Sequence, residues 1–288
     1  MAEDHREAAE LLFDGDVFVY RGGRVPENLR ERITRARIDK SVKIIDARAF
    51  DYCTNLLDVE THNGITKVKR LAFCDCRSLR GIKLPGVREV EEQAFLCCYN
   101  MTDAEFGVEL ETIGGHAFRR CDSLRRIAIP LKGNIFPLDT VYRQTQFILC
   151  HKLTAVDLVG GIHKTISSLH LESWRDEMKG EIDRINQVLL YTDDWEETSA
   201  IQQWIDRVIN RMEHYKTQHN TLLKEATTLL ELALWKAKLG EDKSEEDPLK
   251  NLMAKKSKID DDSARQESRI TSGASIVINN VLPFLQLA

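Results

Sequence analysis

The stretch Ala72-Phe73-Cys74-Asp75-Cys76-Arg77-Ser78-Leu79-Arg80-Gly81-Ile82-Lys83-Leu84-Pro85 ends in an alternating Ile-x-Leu. That is the pattern of a strand with one buried face. Its apolar positions recur along the chain. Ala-Phe pairs stand at Ala49-Phe50, Ala72-Phe73, Ala94-Phe95 and Ala117-Phe118, so the phenylalanines step by 23, 22 and 23 residues. Three residues after each comes Cys53, Cys76, Cys98 or Cys121; three further on stands Leu56, Leu79, Met101 or Leu124; and three beyond that Val59, Ile82, Ala104 or Ile127. Ile45, Val68, Val90 and Ile113 precede the phenylalanines by five positions. A fifth unit, Phe147…Cys150…Leu153…Val156, follows after six extra residues with the same internal spacing.

A unit of this length cannot bury its own apolar face, whereas stacked units share one continuous core. The columns therefore predict a solenoid in which Phe50, Phe73, Phe95, Phe118 and Phe147 stack through the middle of successive coils. Alanine before each phenylalanine leaves room for tight packing. Zinc sites need four ligands converging on one point from local Cys-x2–4-Cys pairs. One cysteine per coil (Cys53, Cys76, Cys98, Cys121, Cys150) is instead a ladder, and buried free cysteine behaves as a small hydrophobe. Cys74 and Cys97 fall on expected loop positions and are the thiols expected to be reactive, if any is.

In this order, Ala-Phe-x-x-Cys-x-x-Leu-x-x-Ile resembles the BspA-type (Treponema-type) leucine-rich repeat. The proline that follows the strand in that family occurs at Pro85 and Pro130; Lys40 or Gly107 stands there in other units. Including Leu169–Trp174, Leu222–Trp235 and the Gly273…Val281-Leu-Pro-Phe ending, the chain is similar to BspA-type repeat proteins of diatoms. The resemblance implies a shared fold and domain order and transfers no activity. The expected class is α+β, a leucine-rich repeat solenoid of parallel strands stacked on one face followed by a long helical hairpin.

Outward positions of the expected strands carry Arg35/Arg37, Asp58/Glu60, Gly81/Lys83, Asp103/Glu105, Arg126/Ala128 and Ala155/Asp157. Their sign alternates from rung to rung, and adjacent strands lie about 4.7–4.9 Å apart. The residues Arg35, Arg37, Asp58, Glu60, Lys83, Asp103, Glu105 and Arg126 are thus either a recognition surface for a protein or a self-neutralised sheet, each cross-strand pair contributing roughly 0.2–1 kcal/mol. Both readings stand at this point.

Residues 1–30 are expected to cap a solenoid over 31–165, with a helix over Glu3–Phe13 and a strand at Val17–Tyr20. A surface loop is expected around Leu131–Val141, and Gly160-Gly161 breaks the repeat pattern. Apolar residues at 171, 174, 178, 182, 185 and 189, then from Ile201 to Ala233, predict a helical hairpin over 166–240 with Asp193-Asp194 in its turn. Its second arm outruns the first, leaving Leu222, Leu229, Leu230 and Trp235 without a partner inside the hairpin. Such a face calls for self-association, a partner, or a later segment folding back. Residues 241–264 read as a flexible charged linker and 265–288 as an apolar C-terminal segment.

The net charge of −5 gives no basic footprint for nucleic acid. No run approaches the ~18 apolar residues of a membrane span. A polar N-terminus and an odd seven cysteines point to reduced thiols in an intracellular protein. No phosphate loop, nucleophile elbow or His-Glu-x-x-His occurs, and the histidines are scattered, so neither a cofactor nor a metal is expected. The leading expectation is a non-enzymatic protein-binding scaffold with an unidentified protein partner. The alternatives are a homo-oligomer assembled through its C-terminal helices and an enzyme with an unrecognised site.

Overall fold

The computed structural model describes residues 13–137, 145–161, 172–193 and 195–242, with side chains through residue 238. The helix expected from Glu3, the linker beyond Asp242, the segment 265–288, Asp194 and the far side of the Leu131–Val141 loop lie outside those residues. The chain divides into two units, Met1–Ser167 with Asp176–Asn210, and Ser168–Arg175 with Arg211–Ala288.

The repeats of the first unit are a succession of short coils. Each contributes a longer strand to one face: β3 (Arg35–Ile38), β5 (Asp58–Glu60), β7 (Gly81–Leu84), β9 (Asp103–Phe106), β11 (Arg126–Pro130) and β12 (Ala155–Val159). A two-residue strand follows on a second face: β4 (Ile44–Ile45), β6 (Lys67–Val68), β8 (Glu89–Val90) and β10 (Thr112–Ile113). Pairing is parallel from coil to coil, in the orders β3-β5, β7-β9-β11-β12 and β4-β6-β8-β10. Register follows the repeat: Ala36 faces Val59, Ile82 faces Ala104, Ala104 faces Ile127, and Ile127 faces Val156.

The five phenylalanines are fully buried, and neighbouring rings stack at 5.0, 5.3, 5.2 and 5.6 Å with interplanar angles of 3–15°. Every second amide around them is spent on the next coil. Phe50 N–H donates to Ala72 O, Phe73 to Ala94 O, Phe95 to Ala117 O, and Phe118 to Gln146 O. So do the flanking amides at positions two before and two after, such as Arg48 to Arg70 O and Tyr52 to Cys74 O. Those flanking residues take positive φ without being glycine: Arg48, Tyr52, Leu71, Asp75, Gln93, Cys97, His116, Arg120 and Leu149, at 55–61°. The left-handed conformation costs an L-residue about 1–2 kcal/mol. At Arg48, Tyr52, Leu71, Asp75, Gln93, Cys97 and Arg120 it turns the N–H toward the next coil, where the intercoil bond offsets the cost.

The cysteine ladder adds a second bond. Cys76 Sγ donates to Phe50 O at 3.1 Å, Cys98 to Phe73 O at 3.1 Å, Cys121 to Phe95 O at 3.2 Å and Cys150 to Phe118 O at 3.1 Å. Each of these carbonyls also accepts the amide of its own coil's cysteine, as Cys53 N–H to Phe50 O. A carbonyl has two lone pairs, and in this interior both are used. Burial pushes the Cys53 thiol up to about 12 and those of Cys76, Cys98, Cys121 and Cys150 upward as well. Cys74 departs from its expected place on a reactive loop: it is 7% exposed and burial raises its thiol too. Cys97 is half-buried. Coils approach so closely after the strand that a Cβ on Gly107 would lie 1.9 Å from Pro85 O.

Both ends of the stack are closed. Phe13, expected to end a helix, begins β1 (Phe13–Asp14), which pairs antiparallel with β2 (Val17–Tyr20), and β2 lies parallel on β3. Tyr20 sits 5.0 Å from the Phe50 ring, donates its hydroxyl to Gly23 O and accepts Asp46 N–H. Burial raises the Tyr20 hydroxyl to about 12. Val25, just before α1 (Glu27–Arg30), donates its amide to Ala49 O. At the far end stand α2 (Glu172–Val188), a 3-10 turn (Leu189–Tyr191) and the start of α3 (Glu197–Asp242). Thr198 Oγ1 accepts the Phe147 amide, and Asn186 Oδ1 accepts the amide of Val156. Buried Trp204 donates its indole N–H to Glu181 O, and Glu181 pairs with Arg184 at 3.5 Å and Arg207 at 3.3 Å. In the second unit, Trp174 stacks on Tyr215 at 4.9 Å. The helix of 46 residues runs two residues past Gly240, within the usual latitude of a helix end.

Phe95→Ala is expected to cost about 3–5 kcal/mol in denaturant unfolding, because it opens a gap in a stack that cannot close over it. A thiol reagent is expected to label native protein quickly at Cys97 alone, the other six reacting only on unfolding. The buried thiols also set an alkaline limit. Their folded pKa values lie above the unfolded value of about 8.5. Their contribution is therefore fully present below pH ~8.5 and declines as pH rises toward the folded values. Flat stability between pH 8 and 11 would contradict this.

Candidate interaction surface

Alternation along each long strand puts Ala36, Val59, Ile82, Ala104, Ile127 and Val156 in the core and the charged residues between them on the outer face. The repeat register then sets opposite signs across from each other: Arg35 faces Asp58, Arg37 faces Glu60, Lys83 faces Glu105, and Arg126 faces Asp103. Arg37 Nε donates to Glu60 Oε2 at 2.6 Å and its Nη1 to Asp14 Oδ2 at 2.8 Å. Arg35 reaches Glu60 at 3.5 Å and Lys83 reaches Glu105 at 3.3 Å, while Arg126 pairs with Asp157 on the following strand. The hydrogen bonds that Arg37 donates to Glu60 and Asp14 raise the pKa of its guanidinium further. Of the face residues, Asp58 and Asp103 lie in register with arginines.

A cluster on β1 to β5 forms a shallow depression of about 620 Å³, lined by Asp14, Arg21, Arg37, Asp39, Glu60 and His62 among others. Gly64 N–H donates to His62 Nδ1 at 3.1 Å, which leaves the proton on Nε2, 3.0 Å from Asp39 O. Both imidazole nitrogens are thus committed to holding the chain. Asp39 is held below the usual carboxylate range by hydrogen bonds from the Ser41 hydroxyl and amide. The depression presents alternating charges with no nucleophile beside a base. Among the described residues no three His, Cys, Asp or Glu side chains are grouped to hold a metal ion. None of the described helices is long and apolar enough to cross a membrane.

In the second unit, the far part of α3 exposes Leu222 by 39%, Leu229 by 54% and Trp235 by 71%, with Leu230 half-buried. Leu232 and Leu234 are also exposed. Sequence reasoning passed over a further set in the first unit: Leu190, Tyr191 and Trp195 stand exposed at the turn between α2 and α3. Their signal was three large apolar side chains within a short acidic connection.

Residues 29–154 match the family model for the BspA type leucine rich repeat region, in six copies. No curated protein matches the chain. Among solved structures, a T. pallidum leucine-rich repeat protein is 26% identical, with a TM-score of 0.39, over 44% of this chain and 57% of its own. A leucine-rich repeat protein from Bacteroides ovatus is 26% identical, with a TM-score of 0.33, over 35% of this chain and 26% of its own. The chain thus spans about half or less of the length of these two proteins. The further likeness to diatom proteins is not shown by these matches.

Proposed function

Residues 29–154 are a BspA-type leucine-rich repeat region, and from that premise we propose that the chain is a non-enzymatic scaffold that binds another protein on its strand face. The observation that carries this reading is the rigid, evenly spaced row of Arg35, Arg37, Asp58, Glu60, Lys83, Asp103, Glu105 and Arg126 on parallel strands. Exposed ion pairs of this kind contribute about 0–1 kcal/mol to stability, so they can be changed without losing the fold. Charge complementarity across an interface chiefly sets specificity and association rate. A face whose sign changes every rung suits a partner with a matching alternation better than a uniformly charged polymer.

Glu60→Lys with Glu105→Lys in one chain is expected to leave the unfolding midpoint within a few degrees and to weaken partner binding by at least about tenfold. Immobilised wild type and variant would be compared for proteins retained by the first and lost by the second. Equal retention by a folded variant would refute the strand face as the binding surface.

A second reading, self-association through the C-terminal helices, is favoured by the exposed Leu222, Leu229 and Trp235 of α3. It requires a molar mass in light scattering that rises with concentration and falls to one chain for Leu222→Asp with Leu229→Asp. A single-chain mass throughout the micromolar range would exclude it there.

A further inference from the structure

The exposed face of α3 has a candidate occupant inside its own chain. We propose that residues 275–285 dock in cis on the exposed leucines Leu222 and Leu229 of this helix. This rests on reading that face as an interaction surface.

The two leucines stand seven residues apart on one side of the helix and are exposed by 39% and 54%, whereas Ala226 between them is buried and Ala233 is half-buried. They are knobs against which another apolar chain packs. The apolar surface also extends beyond one seam. Leu232, Leu234 and Trp235 are exposed by 55%, 61% and 71%, and lie on other sides of the helix. The residues 224, 231 and 238 (Lys, Glu, Lys), seven apart, keep one polar line. A single parallel or antiparallel copy of the helix covers only an a/d seam and would leave the rest wet.

The complementary chemistry lies at the other end of the same chain. Ser275-Ile-Val-Ile-Asn-Asn-Val-Leu-Pro-Phe-Leu285 carries no charge and eight apolar residues counting Pro283, in contrast to the earlier stretch 241–262, dense in Asp, Glu and Lys. Geometry permits the contact. The 32 residues 243–274 can reach about 100 Å when extended. The target at 222–235 lies 7–20 residues behind the end of α3, a distance of about 10–30 Å along its axis. A tether that spans the gap presents its end at an effective concentration on the order of millimolar. A second copy at micromolar concentration competes poorly against that.

The test uses the full chain. A photoreactive benzoylphenylalanine replaces exposed Leu229, and equal amounts of ¹⁴N and ¹⁵N protein are mixed and irradiated. The expected product joins the α3 peptide to residues 275–285 with both halves carrying the same isotope. Val281→Asp with Leu282→Asp should abolish that product and speed amide exchange across 222–235 by at least about tenfold. Mixed-isotope products would overturn the proposal in favour of a second copy. Same-isotope products to any other segment would overturn it as well. So would the absence of product together with unchanged amide exchange in the double variant. Partner capture by the strand face is read separately with Glu60→Lys and Glu105→Lys, so either idea can fail alone.

Discussion

The carbonyls of Phe50, Phe73, Phe95 and Phe118 each accept a hydrogen from the amide three residues on and another from the thiol of the following coil. This shared acceptor needs the next cysteine 25 or 26 residues away (32 across the insertion) and on the same side of the stack. Coil length is thereby constrained from inside. Parallel register on the strand face follows from it, and so does the meeting of Arg37 with Glu60 and Lys83 with Glu105. Cysteine suits the position because it is small and apolar yet still carries a donor. Serine would bring a stronger donor at a greater desolvation cost, and alanine would leave one lone pair of a buried carbonyl unused.

Much of this was legible in the sequence, because a column that repeats five times is read five times over. The phenylalanine and cysteine ladders, the strands that carry Val59, Ile82 and Ala104, and the alternation of charge all rest on such columns. The left-handed residues were not legible. Arg48, Leu71, Gln93 and His116 share no side-chain chemistry, and glycine, the usual marker of positive φ, stands at none of them. The trace they leave is negative: no β-branched residue occupies those sites. In the fifth coil, where Thr145 stands two before Phe147, only Leu149 has positive φ among the described residues. The closure at the far end was equally silent. Thr198 and Asn186 each occur once, and a single hydroxyl or amide in a helix announces nothing about the backbone N–H it will meet.

The strand face and the α3 face differ in what physics asks of them. On the strands, charges find partners within the sheet, so binding a protein there exchanges one set of ion pairs for another and selects by pattern. On α3, exposed leucine and tryptophan gain from any apolar cover, so selection must come from tethering or from shape. On the reading proposed above, a single chain carries one surface that chooses a partner and another that is covered.

The insertion before Phe147 shows which changes of length the coil spacing forgives. Six extra residues fall there between the strand and the phenylalanine, outside the phenylalanine and cysteine columns. One extra residue between Phe and Cys would rotate the thiol off its carbonyl. A whole additional coil, by contrast, would present the same carbonyls to its neighbours and meet the same terminal Thr198 and Asn186. Descendants of this chain can therefore grow or shrink by duplication in steps of one coil, changing the reach of the strand face while keeping both ends interchangeable.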